Sequence, residues 1–356
     1  MRILVTGACG FVGSQILRRL RAMTEDCALL GMDNFCRPGS ERNRAELRAL
    51  GVDIIHGDVR SPSDFESLPA VDWVIDAAAN PSVLAGVDDR TSSRQLVEHN
   101  LIGTLNMLEY CRARSAGFIL LSASRVYSIP PLATLPLTTQ GERFVVDVTR
   151  TLPPGLTAAG VNETFSTAPP LSLYGVSKKA SEDLALEYSF AFGLPVWINR
   201  CGLMAGAGQF GRPDQGIVAY WIHSWHEKSR LKYLGFGGTG HQVRDVLHPQ
   251  DLADLLLKQM RAPDAAHPKL GNVSGGAESA FSLAGMSTWC GQRFGHALPV
   301  EHNGADRPFD IPWLILDDGQ TRQDWDWRPR ISRDMIFEEV AVFAQREPDW
   351  LAVSAG

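Results

Sequence analysis

Apolar residues along this chain follow two patterns that alternate. Short runs rich in β-branched residues predict strands at residues 3–5, 28–33, 52–56, 73–79, 118–122 and 195–200. Stripes of apolar residues at steps of three and four predict helices after residue 13, at 96–108, from 174, at 252–260 and at 336–345. Strands that alternate with helices imply a doubly wound parallel sheet with right-handed crossovers. The predicted fold class is therefore α/β, of the Rossmann type.

The same alternation suggests how the chain is divided. Residues 1–199 are predicted to form the Rossmann domain, interrupted by an insert at 128–170 that is rich in Pro, Thr and Gly. Such a segment is too long for a simple connection, so we expect a lid over a substrate, with a surface insert as the alternative. Residues 200–356 are predicted to form mainly a smaller substrate-binding cap, from which some segments return to the sheet.

A glycine-rich turn joins the first predicted strand to the first helix. Gly7, Gly10 and Gly13 recur every third residue, and these glycines with Phe11 and Val12 are predicted to contact a bound cofactor. In this context Gly7 permits the tight turn, Gly10 lets the backbone approach a pyrophosphate, and Gly13 allows close helix packing. Free N–H groups at the helix N-terminus attract phosphate. The turn therefore predicts a dinucleotide site.

The predicted dinucleotide is NAD. Asp33 ends the second strand about twenty residues beyond Gly13, where a carboxylate hydrogen-bonds the adenosine ribose and repels a 2′-phosphate. Arg37 lies close by in the sequence and leaves NADP as the alternative. Other residues expected to contact the cofactor are Asn34, Asp58, Val59, Ala77, Ala78, Ala79, Asn100, Ser122 and Arg200.

Tyr174 and Lys178 are four residues apart on a predicted helix, so their side chains lie on the same face. A free tyrosine has a pKa near ~10, which is too high for a base at neutral pH. A cation beside the phenol favours the phenolate and lowers this pKa. The pair therefore predicts a base that deprotonates an alcohol, whereas two unrelated surface residues are the alternative.

Composition excludes several classes of function. The formal net charge is −6 and no basic run is present, which argues against a nucleic-acid partner. The six cysteines are scattered without a Cys-x-x-Cys pair, so we expect reduced thiols and no metal site. The first residues form a strand rather than a signal peptide, and no apolar run reaches the ~18 residues of a membrane helix. These features predict a soluble, cytoplasmic protein that is not bound to a membrane.

Taken together, these motifs resemble the extended short-chain dehydrogenase/reductase family of nucleotide-sugar epimerases and dehydratases. The resemblance rests on the glycine turn, Asp33, Gly57-Asp58-Val59, the strand end from Ser122 to Tyr127, and Tyr174-x-x-x-Lys178. It implies that Tyr174 is the catalytic base, and that Lys178 lowers its pKa and holds the nicotinamide ribose. It also implies a homodimer or tetramer that pairs helices 96–108 and 180–188.

One position departs from the family's pattern. Family members usually place Ser or Thr where this chain has Ala123, and that hydroxyl hydrogen-bonds the reacting oxygen. Ser124 is the predicted catalytic replacement, with an ordinary loop serine as the alternative. Ser124 and Arg125 also stand where the family's sugar dehydratases carry an Asp-Glu pair, which argues against a dehydratase.

Two later stretches indicate the substrate. Residues 214–216 and 240–248 resemble the CDP-paratose 2-epimerase (CDP-tyvelose epimerase) branch more than the UDP-galactose 4-epimerases. Arg244 and Arg307 are predicted to bind a diphosphate, since an arginine presents a fork of donors. Gln215 or the backbone at Gly216 is predicted to contact the base. The alternative for Arg244 is a simple ion pair with Asp245.

The predicted function is NAD-dependent epimerisation of a nucleoside-diphosphate sugar through a transient keto-sugar, with no net redox change. The inverted carbon stays open between a CDP-paratose 2-epimerase and a UDP-sugar 4-epimerase. A net nucleotide-sugar dehydrogenase or reductase is a second alternative. A non-catalytic NAD-binding sensor or scaffold, suggested by Ala123, is the third.

Overall fold

The computed structural model describes residues 1–87, 92–305 and 307–355. The strands in these ranges are β1 Arg2–Thr6, β2 Ala28–Asp33, β3 Asp53–His56, β4 Trp73–Asp76, β5 Gly117–Ala123, β6 Leu137–Gln140, β7 Arg143–Val146, β8 Val196–Cys201, β9 Leu203–Met204, β10 Leu231–Leu234, β11 Val243–Leu247, β12 Leu270–Val273, β13 Ala280–Ser282, β14 Val300–Asn303 and β15 Trp313–Leu314. The helices are α1 Phe11–Met23, α2 Glu41–Ala49, α3 Pro62–Glu66, α4 Ser93–Val97, α5 Gly103–Arg114, α6 Ile129–Ala133, α7 Leu173–Phe192, α8 Ile217–His226, α9 Pro249–Arg261, α10 Leu283–Phe294, α11 Gly319–Trp325, α12 Arg333–Arg346 and α13 Trp350–Ala355.

Seven of these strands form one sheet in the order β12-β8-β5-β4-β1-β2-β3. Every neighbouring pair in it is parallel, and Ile3 of β1 lies opposite Leu29 on one side and Trp73 on the other. The order reverses between β1 and β4, as in the dinucleotide-binding folds. The predicted fold class is therefore confirmed.

Both faces of this sheet are buried, which explains why its strands read as continuous apolar runs. Successive residues of a strand point to opposite faces, so Ile3 and Val5 pack into one core cluster and Leu4 into the other. The helices α1 and α9 cover the first face, whereas α5 and α7 cover the second. The sheet is thereby held rigid between two layers of helices.

The later part of the chain builds a second core and also returns to the sheet. Apolar residues of α8, α10 and α12 pack together in a separate cluster with Leu231 and Tyr233. The strand β12 leaves this region and pairs with β8 at the edge of the large sheet. The division into two domains at residue 199 stays a prediction.

The insert at 128–170 packs against later parts of the chain. Val126, Tyr127 and apolar residues of the insert share a cluster with Val243 and Trp313. The Val161 N–H donates to the Ile315 carbonyl at 2.8 Å, and the Asn272 N–H donates to Glu163 Oε1 at 2.7 Å. The lid prediction is not supported, because the segment is tied to β12 and to the residues around β15, and none of its residues lines the cleft described below.

Three observations on the described ranges concern membrane-spanning helices, metal ligands and cysteines. No helix there is long and apolar enough to cross a membrane, and no three His, Cys, Asp or Glu side chains converge as metal ligands would. All six cysteines are free. Burial raises the pKa of Cys9, Cys201 and Cys290 to about 12, so these thiols are protonated at neutral pH and are poor nucleophiles.

Candidate active site

A cleft of about 720 Å³ opens at the carboxyl ends of β1, β2, β4 and β5. This is the edge of the sheet at which the strand order reverses, where open α/β folds bind their ligands. Later parts of the chain form the other wall, including Leu203, Met204, Gln209, Phe210, Arg212 and Pro308. A cleft of this volume is large enough for a bound cofactor or substrate.

The glycine turn forms one end of the cleft. All five predicted residues of the turn line it: Gly7, Gly10, Phe11, Val12 and Gly13. Gly7 has φ +61°, and a Cβ on Gly13 would lie 2.2 Å from the Gly7 carbonyl oxygen. Only glycine fits this approach, which brings the start of α1 against the turn. The helix thereby presents its free N–H groups to the cleft, as a pyrophosphate site requires.

Asp33 lies beside this turn and organises it. Its Oδ2 accepts a hydrogen bond from the Cys9 N–H at 2.8 Å, and its Oδ1 accepts one from the Phe35 N–H at 2.7 Å. Burial raises the pKa of Asp33, although these backbone donors oppose the shift. Asp33 and Asn34 both line the cleft, in the position predicted for the adenosine ribose site.

The Asp58 carboxylate is held by two neighbouring side chains. Its carboxylate is paired with Arg60 at 2.6 Å and accepts a hydrogen bond from the Asn34 amide at 3.1 Å. Hydrogen bonds from Arg60 hold the pKa of Asp58 well below its usual range. Asp58 itself is not among the residues that line the cleft, whereas Val59 is. The contact between Asp58 and adenine is therefore not supported, because the side chain is engaged in the wall.

The end of β4 forms the floor of the cleft, where Ala77, Ala78 and Ala79 leave room for a ligand. Asn100 lies behind this floor rather than in it. Its Oδ1 accepts from the Asn80 N–H at 2.9 Å, and its amide donates to Ser177 Oγ at 3.1 Å. Asn100 thus ties the floor to α7, and its predicted direct contact with the cofactor is not supported.

Tyr174 and Lys178 both reach the cleft from the first turns of α7. The helix begins after Ser172, whose Oγ accepts the Gly175 N–H at 3.0 Å. Tyr174 is 8% exposed and Lys178 is 2% exposed, so both are held in a largely dry setting. The sequence spacing therefore brought the two side chains to the same cavity, as predicted.

Burial and neighbouring charged groups act on the pKa of Tyr174. Burial raises the pKa of Tyr174 and Cys201 raises it further, whereas the charge of Arg125 lowers it. The charge of Lys178 instead lowers the pKa of Asp76 and of Cys201, two groups that burial shifts upwards. The lowering of the Tyr174 pKa by Lys178 stays a prediction.

Two serines line the cleft at the end of β5. Ser122 and Ser124 both line the cleft, on either side of Ala123. The Ser122 hydroxyl donates to Glu182 Oε1 at 2.6 Å, so it is committed to a buried partner. Ser124 begins a short turn that ends at Val126. Because the Ser122 hydroxyl is already bonded to Glu182, the Ser124 hydroxyl is the one that can hydrogen-bond a ligand.

Arg200 was predicted to contact the cofactor, but it lies behind the cleft lining. Its guanidinium makes two hydrogen bonds to Glu182, at 3.0 Å and 2.7 Å. It also lies over the Tyr127 ring, at 5.1 Å from the centroid. Arg200 is therefore a buried structural cation, and the prediction of a direct cofactor contact is not supported.

The predicted substrate residues Gln215, Gly216, Arg244 and Arg307 all line the cleft. Arg244 is bonded to Asp310 at 3.2 Å and to the Ile311 carbonyl at 2.8 Å. The Asp245 side chain instead accepts the Leu316 N–H, so the simple Arg244–Asp245 pair is excluded.

Gln215 connects the two walls of the cleft. Its Oε1 accepts a hydrogen bond from Arg37 at 2.8 Å. Arg37 in turn lies over the Phe210 ring, at 5.3 Å from the centroid. This hydrogen bond connects the segment of Gln215 and Gly216 to the loop that follows β2, close to Asp33 in the sequence.

Arg125 and Asp310 are cleft residues that the sequence argument missed. Arg125 was considered only as a replacement for an acidic residue. Its position directly after Ser124, at the end of a central strand, was the signal that its guanidinium would enter the cleft. Asp310 follows the predicted Arg307 in the same loop, but no pattern in the sequence assigned it a role.

The sequence is similar to known proteins over most of its length. Residues 3–274 match the NAD dependent epimerase/dehydratase family. The chain is 28% identical over 349 residues to the CDP-paratose 2-epimerase of Salmonella typhi, covering 93% of this chain and 96% of that protein. It is 23% identical to the UDP-glucose 4-epimerase of Corynebacterium glutamicum, over 92% of this chain and 91% of that protein.

The fold is shared with a solved structure. The crystal structure of UDP-glucuronic acid 4-epimerase from Bacillus cereus, in complex with UDP-glucuronic acid and NAD, has a TM-score of 0.77 to this chain at 22% identity. The superposition covers 97% of this chain and 99% of that chain. The family match confirms NAD as the predicted cofactor, and the glycine turn with Asp33 offers it a fitting site.

Proposed function

This chain belongs to the NAD dependent epimerase/dehydratase family, and on that premise we propose that it epimerises a nucleoside-diphosphate sugar. The observation that carries the proposal is one cleft that holds the glycine turn, the Tyr174–Lys178 pair and the arginines Arg244 and Arg307. These parts serve a dinucleotide, an alcohol and a diphosphate respectively. Their common cavity is what such a substrate and cofactor need.

Different residues of the cleft take different parts in the proposed reaction. Tyr174 Oη takes the proton from one sugar hydroxyl and later returns it. Gly7, Gly10 and Asp33 would hold NAD, which would supply reversible hydride transfer when bound. Lys178 holds the ribose end of the site, beside the buried Asp76. The burial of Tyr174 excludes water, which protects a transient keto-sugar.

Arg244 and Arg307 would hold the diphosphate, and Gln215 with Gly216 would contact the nucleobase. Asp310 fixes Arg244 in place, so this guanidinium is oriented before substrate binds. The long similarity to the CDP-paratose 2-epimerase of Salmonella typhi favours a CDP-sugar and inversion at C2. The alternative, inversion at C4 of a UDP-sugar, is motivated by the UDP-glucose 4-epimerase relative.

The test is direct incubation of purified protein with CDP-, UDP- and GDP-sugars, followed by NMR of the products. We expect one epimer pair to interconvert without added cofactor, because an epimerase regenerates its own NAD. A requirement for stoichiometric cofactor would indicate a net dehydrogenase or reductase. No turnover of any sugar would reject the proposal and favour an NAD-binding sensor or scaffold.

Ser124 would provide the hydroxyl that Ala123 lacks. Replacing Ser124 by Ala should lower turnover about 10²-fold, as expected when one hydrogen bond to a reacting oxygen is lost. Adding the change Ala123→Thr should recover part of the rate, because it restores a hydroxyl one residue earlier on the same strand end. An unchanged rate in Ser124→Ala would show that this serine is an ordinary turn residue.

We also propose that the protein associates with a second copy through α4, α7 and the π-helical segment Glu98–Ile102. These neighbouring helices expose an unusual set of apolar side chains: Val97, Ile102, Val176, Phe190 and Phe192. An exposed apolar face of this kind is typical of a self-association surface. Sedimentation should show a dimer or tetramer, and the double change Val97→Glu with Ile102→Glu should yield monomers. A wild-type monomer would contradict the proposal.

A further inference from the structure

The helix α13 packs against one wall of the cleft from behind. The Trp350 ring stacks on the Phe210 ring with 5.3 Å between the centroids, and its indole N–H donates to the Gln209 carbonyl at 2.8 Å. Gln209 and Phe210 line the cleft, whereas Trp350 is only 5% exposed and is not among the lining residues. One side chain of α13 thus holds two successive residues of the wall.

The other end of α13 binds the same wall. Arg212 donates from Nε to the Ser354 carbonyl at 2.9 Å and from Nη2 to the Ala355 carbonyl at 3.0 Å. Carbonyls in the last turn of a helix have no partner within the helix, so they are free to accept these bonds. Arg212 itself lines the cleft two residues after Phe210. The wall segment 209–212 is therefore held at both ends of α13.

The loop that follows β2 meets α13 at the same place. Gly39 in this loop has φ +86°, and a Cβ on it would lie 2.7 Å from Val353 Cγ1 and 3.0 Å from Phe210 Cε1. Arg37 of the same loop lies over the Phe210 ring and lines the cleft. The helix α13 therefore joins the wall segment to the loop beside Asp33, at the predicted adenosine ribose site.

The wall segment also reaches the glycine turn. Phe11, Phe210 and Trp350 form a separate apolar cluster, and Val12 packs against it. Phe11 and Val12 belong to the first turn of α1, whose N–H groups would face a pyrophosphate. The side chain that α13 holds in place thus borders the phosphate part of the dinucleotide site.

We propose that α13 slows the release of bound NAD, and that Trp350 is the positioning residue through which it acts. The inference rests on the NAD site used in the proposed function. A bound ligand leaves a cleft when a wall moves by local opening, and a wall that is packed from behind opens less often. Trp350, Arg212 and Val353 favour the closed wall without approaching Tyr174 and Lys178, the residues of the proposed chemistry.

The test measures the release of NAD from the purified full-length protein. Protein saturated with radiolabelled NAD is mixed with a large excess of unlabelled NAD, and the retained label is followed with time. We expect Trp350→Ala to release NAD about tenfold faster, because an aromatic pair and a hydrogen bond no longer hold the wall. Trp350→Phe keeps a ring against Phe210 and should stay within about threefold of the wild-type rate.

Trp289→Ala is the matched control. Trp289 packs against Phe337 of α12 with 5.4 Å between the centroids, as Trp350 packs against Phe343 of the same helix at 5.1 Å. Trp289 lies on α10 and is not among the cleft residues. This change should lower the melting temperature and leave the NAD release rate within a factor of about two.

A milder variant covers the case in which Trp350→Ala fails to fold. Val353→Ser removes apolar contact between α13 and the apolar cluster while it leaves Trp350 in place. It should release NAD about threefold faster than the wild type.

Turnover gives a second readout. Gln215 and Gly216 follow Arg212 on the same wall, so the KM for a nucleotide sugar should rise about fivefold in Trp350→Ala. The kcat at saturating sugar and NAD should stay within about twofold, because Tyr174 and Lys178 lie on α7. A loss of folded protein alone would instead lower kcat and leave KM unchanged.

Several outcomes would overturn the inference. Wild-type NAD release in folded Trp350→Ala protein or, where that variant does not fold, in Val353→Ser would show that α13 does not hold the cofactor site closed. Equally fast release in Trp289→Ala would assign the effect to general loosening. Release is measured without any sugar, so an absence of turnover would reject the proposed function while the release rates still decide the role of α13.

Discussion

Replacing Tyr174 by Phe is expected to lower turnover about 10³-fold, within the range for loss of a general acid–base group. The substitution removes one oxygen and keeps the ring that fills the wall of the cleft. Tyr174 is 8% exposed and starts a helix that Ser172 caps independently of the phenol. The folded structure and the cofactor content should therefore stay as in the wild type. The measurement is initial epimerisation rate at saturating substrate, with bound NAD measured in parallel.

The matched control for this change is Tyr188→Phe on the same helix. Tyr188 hydrogen-bonds Glu109 away from the cleft, so its loss should leave the turnover number within a factor of about two. Wild-type turnover in Tyr174→Phe would contradict the proposed chemistry. It would favour a protein that uses its NAD site for sensing or assembly.

The fold was predictable from the sequence because its determinants are local and periodic. The central strands β1, β4 and β5 are buried along nearly their whole length and therefore read as apolar runs. The glycine turn imposes its own geometry within a few residues, as Gly7 and Gly13 show. For the same reason the cleft residues at strand ends, such as Ala77 and Asp33, were found correctly as lining residues.

The partners that charged side chains at strand ends take in the folded protein were not predictable. The sequence assigned Asp58, which follows a predicted strand, and Arg200, which ends one, to the cofactor. The structure instead pairs Asp58 with Arg60, and Arg200 with Glu182. Strand-end position fixes which edge a residue occupies, but the choice between cleft and wall depends on which opposite charge is nearest in three dimensions.

The insert illustrates the same limit. Its Pro, Thr and Gly content indicated turns, which is correct, and its length suggested a lid. The apolar residues that decide its position, such as Leu156 and Phe165, pack against strands that come more than seventy residues later. No local pattern distinguishes a segment that covers a cleft from one that fills a gap behind it.

Glu182 and Arg200 form the ion pair on which this part of the core depends. The side chains are 0% and 5% exposed, and the two hydrogen bonds join α7 to β8. Ser122 of β5 donates to the same carboxylate at 2.6 Å. Burial would lower the pKa of Arg200, but hydrogen bonds and charge from Glu182 hold it above its usual value. The pair thus keeps the catalytic helix in register with the two strands beneath it.

Changing Glu182 to Leu should lower the free energy of unfolding by about 3–5 kcal/mol, because it leaves the Arg200 charge buried without its partner. The measurement is urea denaturation at a fixed protein concentration. The double variant Glu182→Leu/Arg200→Met should recover much of this loss, since it removes both buried charges together. Glu338→Gln breaks the partly exposed pair with Arg293 and should cost less than about 1 kcal/mol. If Glu182→Leu is no more destabilising than this control, the pair is not what fixes α7 against the sheet.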